Sequence, residues 1–333
     1  MPLHEKQFKN PEFLGFVEHI PKQKKYLLES FMPSQTIKDV NFAYGIIDGK
    51  YAKAASITGF NASAPLRDRK ELSKAYASVA KVQHGFRLDE ELLMQFNRPR
   101  DDEEMNQVIE YIYNSTDELT QGVYDVEEYL RAQAIYNGKL NYNDTLNDIQ
   151  VDVDFGIPEE NNITASKDWT SADAEPLTDI ANAIEQYKKA NNRRKPSVMH
   201  MTDKTESILL KNEQVRVQIY GTEPGKRLVT KDDLANVFSA LGFPPYAIQD
   251  DVAEVNDGGE EPLLEDGKIV FLGSELGNTM FGPTVEKNFE SGIYVVTDIQ
   301  ETNPPQQAVF VGETVFPALK NPRAIVTLDV GTP

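Results

Sequence analysis

The sequence predicts a mixed α+β fold, built from a few extended parts and one small compact module. Three observations lead there. The N-terminal stretch is rich in Pro, Lys and aromatic residues and has no period; one long run carries apolar residues at spacings of three and four; and short helices alternate with short strands over most of the second half.

Residues 1–40 include KNPEFLGFVEHIPKQKKYLLESFMPS, which follows neither a helical nor a strand period and predicts an N-terminal arm that needs other surfaces to order it. Across residues 41–88, the alternation of Val40, Phe42, Tyr44 and Ile46 leads into AASITGFNASAPL, and KAYASVAKVQ runs back. That pattern predicts a long two-stranded β loop with little core of its own.

From about residue 101 to 137, Met105, Val108, Ile109, Ile112, Leu119, Val123, Val126, Leu130 and Ala134 share one helical face. Asp101, Asp102, Glu103 and Glu104 fill the first turn, where carboxylates meet the positive end of the helix dipole, and Asn137-Gly138 supplies a stop. At about 1.5 Å per residue, some 36 residues make a rod on the order of 54 Å long. One small core cannot cover such a rod, so a spine helix crossing a flat domain is expected.

A β hairpin follows: Leu140 and Tyr142 precede an Asn143-Asp144 turn, and Ile149, Val151, Val153 and Phe155 then alternate with Gln and Asp, giving one apolar and one acidic face. Between 170 and 300, Leu177, Ile180, Ala181, Ile184 and Tyr187 mark a helix and SVMHM a strand. Thr230 caps a second helix that ends at Gly242. YAIQDDVAEV and GKIVFLGS predict a two-strand unit across NDGGEEPLLED. The last stretch, AVFVGETVFPALKNPRAIVTLDV, is strand-rich, with breaks expected at Pro317 and Pro322.

Composition restricts the chemistry. The 333 residues hold no cysteine, which removes disulfides, thiolate metal sites and cysteine nucleophiles and fits a reducing compartment. No apolar run is long enough to span a bilayer, and MPLHEKQFKN lacks the charged-then-apolar pattern of a secretory signal, so neither a membrane nor export is expected. A formal charge of −19 disfavours adhesion to nucleic acid for the chain as a whole. The charge is uneven: residues 101–160 carry 16 Asp and Glu against 2 Lys and Arg. Such a block is either a solvated face or an acidic lining along which packed DNA slides.

No reaction is specified, so no catalytic, cofactor-binding or metal residue and no cofactor is expected. His4, His19, His84 and His200 are scattered without an i, i+4 partner. GTEPGK at 221–226 is one residue short of the phosphate-loop spacing and lacks the following Ser or Thr, so it predicts a turn. Asp152 with Asp154 and Glu159 with Glu160 are acid pairs that solvent-facing positions explain without catalysis. Asn162 opens a glycosylation triplet that has no use without secretion, and Trp169 in SKDWTS suits a packing anchor.

Four strings carry a resemblance: IPKQKKYLLESFMPS, IQVDVDFGIPEENNITASKDWTS, GKIVFLGSELGNTMFG and VFVGETVFPALKNPRAIVTLDV. Their content and order are similar to those of the lambda-type major capsid protein E family, whose members have the HK97-like capsid fold. The resemblance implies an N-terminal arm over 1–40, an extended β loop over 41–88, a peripheral domain over 89–165 with the spine helix and hairpin, an axial domain over 166–300, and C-terminal strands over 301–333 returning to the peripheral domain. It implies a non-enzymatic major capsid protein that self-assembles as pentamers and hexamers into the icosahedral head shell of a tailed bacteriophage. Such a shell encloses double-stranded DNA without sequence-specific binding. The implied partners are other copies of the chain, a portal protein, a scaffolding protein and, in some relatives, a decoration protein. The implied location is the virion, after assembly in the host bacterial cytoplasm. Lys53, Lys70 and Lys74 lie in the loop, but no cross-linking site is carried over to them. The alternatives are an encapsulin-like nanocompartment shell and, more distantly, a cytosolic hydrolase using Glu159 or Asp152.

Overall fold

The computed structural model describes residues 2–46, 73–96, 102–144, 149–221, 227–254, 259–302 and 304–331. It contains two compact units. The first comprises 1–42, 76–131 and 278–318; the second comprises 43–75, 132–277 and 319–333. Lys53, Lys70 and most of the 41–88 loop lie outside the described residues; the loop's described ends, β2 (Asn41–Ile46) and β3 (Ser73–Ser78), pair with each other.

The first unit is organised by the helix α3 (Asp102–Ala132), which realises the spine expected from the stripe. Val108, Ile112 and Val123 are buried along it, with Ile109 and Leu119 packed beside them. After Ala132 a π-helical turn over Gln133–Asn137 runs to Gly138, whose left-handed φ of 66° ends the helix where the Asn-Gly signal placed the stop.

The N-terminal segment corrects the sequence reading at the level of elements. Instead of an aperiodic run, residues 10–18 form α1 (Asn10–Glu18), with a proline in its first turn and Phe13 and Val17 fully buried. Phe8, Phe13 and Phe16 cluster on Tyr113 of α3, the Phe16 and Tyr113 rings meeting edge-on at 4.5 Å. Two turns of helix are too short to show a period. Their apolar face has meaning only against Ile112 and Tyr113, almost 100 residues away in sequence.

A five-stranded sheet packs in the first unit. The long strand β17 (Gln306–Leu319) is central and antiparallel to both β16 (Tyr294–Gln300) and β4 (Ala80–Leu88). β13 (Gly277–Phe281) also joins β17, and β1 (Ser34–Thr36) runs parallel to β13. Two glycines allow β4 and β17 to approach: a Cβ on Gly85 would meet the Val309 carbonyl oxygen, and one on Gly312 the Val82 carbonyl oxygen. Pro317 does not break the strand as expected, because it follows Val315, the last residue paired with β4, where a missing N–H costs that ladder nothing. Pro322 does interrupt the chain, opening a short 3-10 turn.

The second unit is a mixed sheet in the order β7 (Asn162–Thr164), β18 (Ile325–Asp329), β12 (Lys268–Leu272), β8 (Val198–Met201), β9 (Tyr246–Ile248). Ile269, Val270, Phe271 and Leu272 are all buried in its middle. The expected pairing of YAIQDDVAEV with GKIVFLGS is corrected: β9 and β12 lie on opposite sides of β8, and β10 (Val252–Glu254) pairs instead with β11 (Glu260–Pro262). The apolar run of β12 belongs in the sheet centre, a position that the polar strand β10 cannot fill.

Around this sheet lie α4 (Pro176–Ala190), α5 (Asp203–Lys211), α6 (Glu213–Tyr220) and α7 (Lys231–Leu241). α4 buries Leu177, Ile180, Ile184 and Tyr187, as its spacing predicts. α7 starts with a full capping box between Thr230 and Asp233 and stops at Gly242, φ 72°. The hairpin of β5 (Lys139–Asp144) and β6 (Ile149–Asp154) pairs Leu140 with Val153 and Tyr142 with Val151. Asn143 and Asp144 are strand residues opposite Gln150 and Ile149, so the connection falls at 145–148, outside the described residues, and not at Asn143-Asp144. Trp169 is buried and donates from Nε1 to Asp179 Oδ2 at 3.0 Å, the anchor its sequence context suggests. Among the described residues no helix is long and apolar enough to cross a membrane.

Candidate functional site

The structure does not gather the scattered titratable residues. His4 is exposed, His19 bonds the Gly15 carbonyl through Nδ1, and His84 Nε2 lies 2.5 Å from the Leu119 carbonyl oxygen. His200 is buried, with Nδ1 2.7 Å from the Tyr136 hydroxyl; burial alone pushes its pKa down to about 4. Among the described residues no three His, Cys, Asp or Glu side chains are placed to hold a metal. Asp152 and Asp154 face solvent on β6, and Glu159 and Glu160 are exposed in a 3-10 turn. Of GTEPGK, 222–226 lie outside the described residues.

What the fold does gather is a cluster of charges inside the first unit, at the C-terminal end of α3. Glu127, Glu128 and Arg131 are all buried there, Arg131 with no exposure at all. Its guanidinium spends its donors on three side chains: Nη2 to Glu127 Oε2 at 2.6 Å, Nη1 to Glu128 Oε2 at 3.1 Å, and Nε to Thr279 Oγ1 at 2.8 Å. Thr279 in turn donates to the Met32 carbonyl at 2.9 Å, and Glu128 Oε1 accepts from Leu28 N–H at 2.6 Å. Lys22 reaches Glu127 at 3.7 Å and Glu29 at 2.9 Å, and its ammonium lies over the Tyr26 and Tyr124 rings. Tyr26 donates to Asp125 at 2.7 Å. Residues 22–33, β13 and α3 are thus joined by charge-assisted hydrogen bonds.

Glu313 of the central strand enters the same cluster and is 2% exposed. Burial, then the charge of Glu127 and a hydrogen bond with it, hold its carboxyl well above the usual carboxylate range. No donor among the described residues reaches Oε1. A raised carboxyl at Glu313 limits the negative charge crowded beside Glu127 and Glu128. Burial alone would lower the Arg131 pKa, but the charges and hydrogen bonds of Glu127 and Glu128 outweigh it and raise it.

This arrangement suits a clamp, because the buried guanidinium ties three side chains together and its carboxylates point inward. Part of the acidic block is therefore internal: Glu127 and Glu128 are neither solvated nor available to line a lumen, whereas Asp102, Glu103, Glu110 and Glu118 are exposed. This cluster is not among the sites expected from the sequence. A signal was present, since Glu127 and Glu128 stand four and three residues before Arg131, one of two basic residues in an acidic stretch. Spacing of that kind cannot tell a buried pair from an exposed one.

The chain resembles solved structures over almost its full length. It matches a prophage capsid protein from Escherichia coli CFT073 with a TM-score of 0.64 at 13% identity, covering 97% of this chain and 99% of that one. A phage-related protein from Bordetella bronchiseptica RB50 matches with a TM-score of 0.55 at 13% identity, covering 97% and 98%. A comparison with curated proteins gives no match. At such identities the structural likeness speaks for the fold, which is the HK97-like fold expected from the sequence. The sequence itself matches the model of the phage major capsid protein E family over residues 12–330, so this chain belongs to that family and is a head shell protein.

Proposed function

We propose that copies of the chain tile a closed icosahedral shell as pentamers and hexamers around the double-stranded DNA of a tailed phage, with no catalysis of their own. The observation that carries this is the family match spanning residues 12–330. The charge cluster supports it, since the buried ionisable groups of the first unit brace the fold instead of facing a substrate.

In such a shell each copy presents one surface to a different surface of the next, a heterologous contact that closes into rings. Residues 41–88 serve as the loop laid over the neighbouring copy, and 1–40 as an arm whose outer face meets it. Residues 89–165 with 301–333 fill the peripheral role, and 166–300 the axial one. A portal and a scaffolding protein act as partners during assembly in the host cytoplasm, with a decoration protein as a further one. The DNA is enclosed without sequence-specific binding, and a net charge of −19 disfavours adhesion of the chain as a whole to phosphates.

Sedimentation and negative-stain microscopy of the expressed chain test the proposal. Closed shells of uniform diameter are expected. A chain that stays monomeric at high concentration, with or without scaffold, would overturn it.

A further inference from the structure

The first unit carries a loop whose polarity is inverted. β14 (Pro283–Thr284) and β15 (Glu290–Ser291) form a short antiparallel hairpin, with residues 285–289 as its tip. The two charged side chains of the tip turn back onto the unit: Lys287 Nζ contacts Glu18 at 2.7 Å and the Ile293 carbonyl at 3.1 Å, and Glu286 pairs with Lys81 at 2.5 Å. Its apolar side chains turn outward, with Val285 70% and Phe289 75% exposed. These are the two most exposed large apolar residues described in this unit, and they stand four residues apart on one tip.

The tip is also preorganised at a conformational cost. Asn288 and Phe289 have φ of 54° and 64°, a left-handed backbone that a bulky side chain adopts only under constraint. Hydrogen bonds hold it there: Phe289 N–H to the Thr284 carbonyl at 2.7 Å and Asn288 N–H to the Val285 carbonyl at 3.1 Å. These bonds hold the tip with the Phe289 ring exposed.

We infer that Phe289 and Val285 form an anchor that inserts into the surface of a second copy of this chain. The inference rests on the head-shell function, which requires contacts between copies. It goes further by naming the residues that make one of them. Nucleic acid is a poor occupant, since both nearby lysines are consumed by ion pairs and the tip offers no free cation among its described residues. A protruding aromatic with a rim of satisfied polar groups is the usual composition of an interface anchor.

The absence of native cysteine makes the test clean. Val285→Cys introduces a single thiol, and its labelling by a polar maleimide is compared in free subunits and in assembled shells. Protection on the order of tenfold in shells made of this chain alone is expected, as for a side chain at the centre of an interface. Equal labelling in free subunits and intact shells overturns the inference while leaving the shell function standing. Protection that appears only after a scaffolding or decoration protein is added also overturns it. If the chain forms no particle under any condition, the shell function fails and the inference falls with it. Phe289→Gly separates docking from folding, because glycine accepts φ near 64° without strain. The free variant should unfold at no lower denaturant concentration than the parent, yet need on the order of tenfold more protein to assemble. Assembly at the parental concentration would count against the anchor.

Discussion

Arg131 and Glu127, one helical turn apart on α3, form an ion pair of 2.6 Å with both side chains buried. Removing one partner of such a pair strands the other. Arg131→Met is expected to destabilise the first unit by about 3–5 kcal/mol, because Glu127 and Glu128 lose the buried guanidinium that balances their charge. The triple replacement Arg131→Met, Glu127→Gln, Glu128→Gln should recover part of that loss. Denaturant unfolding of the single and triple variants checks this, and a triple variant no better than the single one would contradict it.

Glu313 makes the first unit proton-sensitive in a definite direction. Its folded pKa lies above the ordinary value of 4.5, so below pH 4.5 folded and unfolded chains are both protonated and its contribution is complete. As pH rises from there toward the raised folded value, the unfolded chain alone releases the proton and stability falls. Glu313→Gln, which mimics the protonated form, should flatten this slope and leave the variant more stable than the parent at the alkaline end. Unfolding midpoints between pH 5 and pH 9 decide it.

In the second unit, His200 works the opposite way. It is neutral when folded, with its pKa lowered to about 4, whereas the unfolded chain binds a proton below 6.5. Its contribution is present above pH 6.5 and is lost as pH falls toward 4, by about 3 kcal/mol in all. The Tyr136 hydroxyl on Nδ1 is the polar group that faces it at 2.7 Å. His200→Gln should remove most of the acid sensitivity of the second unit, as read by hydrogen exchange of β8 and β12 at pH 7 and pH 4.5.

Two glycines should respond to alanine with opposite signs. At Gly312 the new Cβ would press on the Val82 carbonyl oxygen and sit 2.8 Å from the Tyr294 hydroxyl, so β4 and β17 must part at a cost of about 1–3 kcal/mol. At Gly15, inside α1, a Cβ meets nothing within 4 Å. Gly15→Ala should therefore stabilise by roughly 0.5–1 kcal/mol through helix propensity. Thermal unfolding of both variants tests the contrast, and equal effects would refute the close approach of the strands.

The sequence alone determined those elements whose signals are local and long. The apolar stripe from Met105 to Ala134 with its Asn-Gly stop, the face of α4, the Thr230 cap and the alternation of β6 all repeat over enough residues to be read without a partner surface. The ordered strings spread from residue 20 to 330 likewise sufficed to suggest the family. Only the tertiary structure decided the rest. Whether nine residues around Phe13 become a helix depends on Tyr113. Whether Pro317 breaks a strand depends on where β4 stops pairing. Whether Glu127 is solvent-facing or an internal ligand of Arg131 depends on which segments close over the end of α3. Each is a contact between residues far apart in the chain, and a linear pattern records the spacing of side chains along one element but not the dielectric around them.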